Sequence, residues 1–288
     1  MARKISEQFN IWARMIKIEH SIFALPYAWA GMFLAAGGMP AFSKLFYLTM
    51  AMVAIRSFAM TFNRIADLEY DKLNPRTSSR PLVTGEMDKK QAWIFCIVCI
   101  LFFVGFCALL NNLCFWLSIP AVVFSGAYSY IKRISPWCHY WLGATLGLAP
   151  IAGCIGANPA SLPLSPLLLG IAVAFWVGAF DIYYAFQDAE VDKKYCLHSL
   201  PADFSAKTAM TIAGFSHVLT IIFLTLCGLD AHLGWPWYLI CLGVAAILFW
   251  EHKLVNPNDL KNINMAFFTL NAIISPVIFL GIVLGIYL

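Results

Sequence analysis

The chain has 288 residues, of which 61% are hydrophobic and only 12% charged. A soluble domain is about half apolar and about a quarter charged; this composition, with a mean hydropathy of +0.76, excludes an ordinary water-soluble domain and points to a helical protein that crosses a bilayer many times. The net charge of +4 is too small to indicate a nucleic-acid partner.

A helix needs about 20 apolar residues to cross the bilayer core, and nine stretches qualify, at roughly 20–37, 44–68, 92–110, 113–131, 139–157, 165–188, 207–228, 235–251 and 265–287. Turn signals separate them: Gly37-Gly38 with Pro40, Asn111-Asn112, Ser135-Pro136, Asn158-Pro159 and Asn256-Pro257. The predicted fold class is therefore an all-α polytopic membrane protein with nine transmembrane helices, forming one domain over residues 1–288. No A-x-A-like site follows Arg3, Lys4, Arg14 and Lys17, so the first apolar run reads as an uncleaved span.

The connections alternate in charge. One set holds Arg3, Lys4, Arg14, Lys17, Lys72, Arg76, Arg80, Lys89, Lys90, Lys132, Arg133, Lys193, Lys194, Lys207, Lys253 and Lys261; the other holds only Lys44. Positive loops stay inside, so the N-terminus is expected in the cytoplasm and the C-terminus outside. The two long loops, at roughly 69–91 and 189–206, then both face the cytoplasm, and loops this long in a compact helical protein are usually functional. The nine cysteines are scattered through apolar runs, and the Cys96–Cys99 pair has no partner cluster nearby. They read as small buried hydrophobes.

The chemistry is concentrated in two short stretches. Asn63, Asp67 and Asp71 recur every fourth residue, and Arg56 lies seven residues before Asn63. On a helix this places them on one face, with about 6 Å of rise between neighbours. Asp181, Asp188 and Asp192 form a second one-sided series, spaced seven and four. Asp67 and Asp188 are 121 residues apart, as are Asp71 and Asp192, and a lysine follows each final aspartate. This matching register predicts a weak internal duplication of four-helix units that brings two helix ends face to face.

Acidic groups near membrane depth are costly and mark function. Two facing sets of carboxylates repel unless cations lie between them, and carboxylate and amide oxygens favour hard ions, Mg²⁺ or Ca²⁺. The neighbouring Arg64, Arg76, Arg80, Lys132 and Arg133 suit a polyanion. The implied ligand is a diphosphate at the membrane surface with its apolar tail in the lipid bilayer.

With these residues in view, the chain resembles the UbiA-type intramembrane aromatic prenyltransferases. The resemblance rests on N-x-x-x-D-x-x-x-D at Asn63, Asp67 and Asp71, "NPRTSSRPL" from Asn74, "YSYIKR" from Tyr128 to Arg133, and D-x-x-x-D at Asp188 and Asp192. It implies a bundle around a central cavity, capped by the cytoplasmic loops, with two Mg²⁺ ions bridging the acidic motifs through a polyprenyl diphosphate. Asn63, Asp67, Asp71, Asp188 and Asp192 inherit the metal role, the four aspartates also a catalytic one. Lys132 and Arg133 inherit a diphosphate role, while Arg56, Arg64, Arg76, Arg80 and Tyr128 are further substrate-binding candidates. Asp181 is the candidate for polarising the acceptor phenol. Tyr128, Phe180, Tyr183 and Tyr184 are candidates for favouring an allylic cation through their ring faces.

"IEHSIFALPYA" from Ile18 and "LHSLPADF" from Leu197 resemble the branch that prenylates 4-hydroxybenzoate ortho to its hydroxyl in ubiquinone synthesis. Members acting on a naphthoate of menaquinone synthesis look much alike here, so the aromatic acid acceptor stays open between the two. The expected location is the bacterial inner membrane. A secondary transporter is the reading outside enzymes, but transporter charges gather near the bilayer midplane, whereas these gather at one surface. Asn271, in the last span, either bonds across helices or lines the cavity.

Overall fold

A computed structural model describes residues 10–17, 24–257, 259–263 and 265–288. Arg3, Lys4 and the first part of the "IEHSIFALPYA" segment lie outside the described residues. Among the described residues the chain is helical throughout, and its only β pairing is an isolated bridge between Asn256 and Asp259.

A short helix, α1, covers residues 10–16, followed by α2 (Leu25–Ala36), α3 (Phe42–Ala66), α4 (Leu68–Leu73) and α5 (Pro81–Thr84). Next come α6 (Lys89–Leu110), α7 (Asn112–Ile131), α8 (Cys138–Ala157) and α9 (Leu164–Ala185). The remainder is α10 (Ala189–Lys194), α11 (Leu200–Asp203), α12 (Ala206–Asp230), α13 (Trp235–Leu254) and α14 (Asn271–Tyr287). Seven of these, α3, α6, α7, α8, α9, α12 and α13, are long and apolar enough to cross a membrane. The expected first and ninth spans correspond to shorter apolar helices, α2 with 12 residues and α14 with 17. A π-helical segment, Met265–Leu270, runs directly into α14.

The helix ends follow local chemistry. The α2 helix stops at Gly37 and Gly38, which both carry positive φ (61° and 158°). Asn111 separates α6 from α7: its side chain accepts from the Cys114 amide at 2.8 Å and donates to the Ile155 carbonyl at 2.8 Å. Outward faces of α6 and α7 carry Leu101, Phe102, Trp116 and Val123, all at least 56% exposed, as suits lipid rather than water.

Two predicted spans end earlier than the sequence suggests. The α3 helix stops at Ala66 and α9 at Ala185, so neither acidic series lies on one regular helix. Asp67 caps α3 and leads into α4, and Asp188 leads into α10 in the same way. The i, i+4 alignment survives, because Asp71 N donates to Asp67 O and Asp192 N to Asp188 O, each at 2.8 Å.

The core is drawn together by small residues. Where α2 crosses α8, an added Cβ on Gly153 would lie 1.9 Å from the Ala28 carbonyl oxygen, and one on Gly31 would lie 1.8 Å from that of Pro150. Backbones approach this closely only where side chains are absent. Behind α9, buried Trp176 donates to Asn271 Oδ1 at 2.7 Å, and Asn271 donates to Glu251 Oε1 at 2.9 Å. Asn271 thus bonds across three helices and does not line the cavity.

The α2–α8 contact gives a packing prediction. Gly153→Val is expected to lower thermal stability in detergent by about 1–3 kcal/mol through overpacking. Gly105→Val, where nothing lies within 4 Å, serves as control and should unfold at the wild-type temperature.

Candidate functional site

The ends of α3, α7 and α9 meet with the segments that follow them around a cavity of about 240 Å³. Its lining mixes apolar side chains, including Met60, Leu142, Leu146, Val177 and Phe180, with charged ones. Asn63, Asp67 and Asp71 line it from one side, and Asp181, Asp188 and Asp192 from the other. Arg56, Arg64, Arg76, Arg80, Tyr128, Lys132 and Arg133 also line it. These thirteen residues therefore line one cavity.

The two acidic series face one another with side-chain cations between them. Each of the four motif aspartates is matched by a side-chain cation. Arg133 bonds Asp67 at 3.2 Å, and Arg80 Nη1 sits 2.6 and 2.5 Å from the two Asp71 oxygens. Arg76 grips Asp188 with two nitrogens, Nε at 2.9 Å and Nη2 at 2.5 Å, and Lys132 Nζ is 2.7 Å from Asp192. Among the described residues no three acidic, histidine or cysteine side chains form a group that could hold a metal ion. The physical reason is desolvation: a half-buried to buried carboxylate needs a cation or a hydrogen bond close by.

These pairs cross between the two acidic segments. Arg76 stands in the loop after α4, yet it pairs with Asp188 and donates to Tyr184 Oη at 2.9 Å. Asn74 also donates to Asp188, at 2.8 Å. Lys132 and Arg133, adjacent at the end of α7, divide between the second and first segments. Arg133 is further held by the Ala66 carbonyl at 2.7 Å and lies over the rings of Tyr70 and Tyr130. Asn63 donates to Asp67 Oδ2 at 2.9 Å, which ties the first two members of the series. Arg64 is 2% exposed and its Nη1 has no hydrogen-bond partner, so a buried positive group borders the cavity with a donor to spare.

Burial sets the protonation of this cluster. It pushes the Asp71 carboxyl up to about 7, even with Arg64 close by. Burial likewise raises Asp67 and Asp192, against their partners Arg133 and Lys132. For Asp188, burial also acts upward, but the Arg76 fork outweighs it and the carboxyl falls below its ordinary range. Three carboxyls thus hold protons more readily than in water, and one holds its charge more firmly.

Two parts of the site differ from the sequence reading. Tyr183 turns away from the cavity: its hydroxyl pairs with His252 Nδ1 at 2.7 Å and its ring meets His217 edge-on. Its neighbour Tyr184 faces the cavity, as one residue of helix turns the side chain by about 100°. His139 was given no role by the sequence. It lines the cavity and sits 2.7 Å from Asp181 Oδ2. A lone histidine in an apolar run, 42 residues from its partner, leaves no local signal.

The fold is an apolar helical bundle of a membrane-protein type, with a cavity lined by acidic groups from two helix ends and by basic residues between them. The sequence profile of the UbiA prenyltransferase family matches residues 24–273, and the chain belongs to that family; it is a multi-pass membrane prenyltransferase. It is 32% identical over 226 residues to the 4-hydroxybenzoate octaprenyltransferase of Pseudomonas aeruginosa, covering 78% of this chain and 75% of the relative. The solved apo structure of a UbiA homolog from Aeropyrum pernix superposes with a TM-score of 0.83 at 28% identity, covering 92% of this chain and 98% of the other. A UbiA homolog from Archaeoglobus fulgidus, solved with GPP and Mg²⁺ bound, shares the fold at a TM-score of 0.72 and 23% identity, covering 94% of this chain and 99% of the other.

The Arg76–Asp188 pair clamps the loop after α4 over the cavity. Arg76→Ala is expected to speed hydrogen exchange at the amides of residues 76–80 by about tenfold, as local opening becomes easier. Unchanged exchange in that segment would show that the clamp contributes nothing.

Proposed function

We propose that this chain transfers a polyprenyl group from an allylic prenyl diphosphate to an aromatic acid, at the ring carbon ortho to the phenol hydroxyl. 4-Hydroxybenzoate is the acceptor this reading favours, because the P. aeruginosa relative carries that activity in its name. The single observation that carries the proposal is the convergence of two acidic segments and four paired cations on one cavity that apolar side chains also line. In this reading the charged end faces the cytoplasm of a bacterial inner membrane. We also read the like arrangement of α3–α4 and α9–α10 as a trace of duplication.

The donor set fits Mg²⁺, since the carboxylates of Asp67, Asp71, Asp188 and Asp192 and the amide oxygen of Asn63 are hard oxygen ligands bordering one space. When bound, Mg²⁺ supplies Lewis-acid withdrawal of charge from the diphosphate. The chain's own residues do the rest. Arg76, Arg80, Lys132 and Arg133 are placed to turn from carboxylate to phosphate oxygens, with the arginine forks suited to bidentate contact. They stabilise the charge that gathers on the diphosphate as the allylic C–O bond breaks and its electron pair departs with that group. The apolar part of the lining keeps water from the allylic cation, and the rings of Tyr128, Phe180 and Tyr184 border the same space. The ring carbon then forms the new C–C bond, and its hydrogen leaves as a proton. Arg56, also on the cavity wall, is our candidate for the acceptor carboxylate.

A transporter would place its charges near the midplane; here the four paired aspartates all lie at or beyond the helix ends. The test is product mass from purified protein with a long-chain prenyl diphosphate, Mg²⁺ and a panel of aromatic acids. Prenylated 4-hydroxybenzoate is expected, lost on chelation and regained with Mg²⁺. Asp67→Ala and Asp188→Ala should each lower turnover by at least about 100-fold. A product only from a naphthoate would reassign the acceptor, and unchanged turnover in either variant would reject the metal role.

A further inference from the structure

His139 stands on α8 at the cavity wall and is 2% exposed. Both of its ring nitrogens are engaged. Nδ1 lies 2.7 Å from Asp181 Oδ2, and the backbone N–H of Leu200 donates to Nε2 at 3.2 Å. A backbone amide only donates. Nε2 must therefore be the bare nitrogen of a neutral imidazole, and the single ring proton sits on Nδ1, donated to Asp181. The Oδ2 atom of Asp181 is thereby fixed as an acceptor. The Asp181 side chain keeps 18% exposure on the cavity wall, so the carboxylate is half anchored and half available.

The anchor on the far side of His139 belongs to the other end of the site. Leu200 opens α11, and the residue before it, Ser199, donates to Asp192 Oδ2 at 3.0 Å. The neighbouring His198 amide donates to the Lys132 carbonyl at 2.7 Å. Ser199 and Leu200 are fully buried. A continuous chain of contacts runs from Asp192 through Ser199 and Leu200 to His139, and on to Asp181. The segment that carries a diphosphate-side carboxylate thus sets the orientation of the one carboxylate deeper on α9.

We propose that His139 is a positioning residue for prenyl transfer: it holds Asp181 aimed at the acceptor, so that Asp181 takes the phenol proton. This rests on the prenyl-transfer reading above. As the allylic C–O pair leaves with diphosphate and the C–C bond forms, the phenol O–H proton passes to the free Asp181 oxygen, leaving a ring ketone. The ring hydrogen is then lost as a proton to solvent, and Asp181 returns its proton to the ring oxygen. One ring hydrogen is replaced by the prenyl group, and one proton and diphosphate are released.

The test uses the full chain in nanodiscs with prenyl diphosphate, 4-hydroxybenzoate and Mg²⁺. His139→Leu removes both hydrogen bonds and should lower kcat by about 100-fold, the scale of a positioned base, with KM for the prenyl diphosphate within about threefold. His139→Gln can still donate and accept, and should recover kcat to within about fivefold of wild type. The defect of His139→Leu should shrink for 3-fluoro-4-hydroxybenzoate, whose phenol gives up its proton more readily; a merely structural histidine would not show this dependence. If His139→Leu fails to insert, His139→Asn, too short to span both partners, takes its place with the same expected outcome. Wild-type kcat in His139→Leu, a Gln variant as impaired as Leu, or equal defects with both acceptors would overturn the proposal while leaving the prenyl-transfer reading in place. A wild-type protein that prenylates no aromatic acid would overturn that reading itself, and this one with it.

Discussion

Four carboxylates gathered at the end of an apolar bundle need four cations, and the arrangement of this protein's site follows from that requirement. Carboxyl groups lose hydration there, and burial is the largest cause that pushes Asp71 up to about 7. The chain answers with Arg80, Arg133, Arg76 and Lys132, one for each aspartate. The cations do not come from the helices that bear the acids. Arg76 and Arg80 come from the loop after α4, and Lys132 and Arg133 from the end of α7. Neutralising the cluster therefore also closes the loop over the cavity and draws three helix ends together. A site balanced in this way is ready for exchange: a ligand carrying both negative oxygens and divalent ions offers new partners to both halves of every pair.

The helix α9 carries much of the consequence. One face presents Asp181 and Tyr184 to the cavity and leads to Asp188. The opposite face presents Trp176 to Asn271 and Tyr183 to His252. Polar bonds on both sides, together with the glycine-mediated approach of α2 and α8, limit how far α9 can turn or slide. That rigidity suits a site whose groups must aim at a ligand to within a fraction of an ångström. The π-helical segment before Asn271 is the irregularity by which the last helix brings its amide to Trp176 and Glu251.

Much of this was legible in the sequence, for identifiable reasons. Spacings of four and seven survive any small kink, so Asn63, Asp67 and Asp71, and Asp181, Asp188 and Asp192, could be placed on common faces without knowing that α3 and α9 stop short. Apolar length gave the seven long helices; α14 is shorter than the composition of its segment implied, because a π segment takes up residues that hydropathy counts as span. Partner choice was not legible. Nothing in "YSYIKR" says that Lys132 reaches Asp192 while Arg133 reaches Asp67, since that depends on where α7 ends relative to both. His139 left no pattern at all, because its two partners lie 42 and 61 residues away and meet it only when α8, α9 and the α10–α11 segment pack. Tyr183 and Tyr184 illustrate the limit of composition: adjacent and alike, one meets His252 and the other lines the cavity.

The central claim is that the four carboxylate–cation pairs open when the donor binds. A structure of the protein with Mg²⁺ and an unreactive prenyl thiolodiphosphate tests it most directly. Arg76 and Lys132 should then lie on phosphate oxygens, with Asp67, Asp71, Asp188 and Asp192 turned toward metal. All four pairs intact, with the diphosphate seated elsewhere, would contradict it.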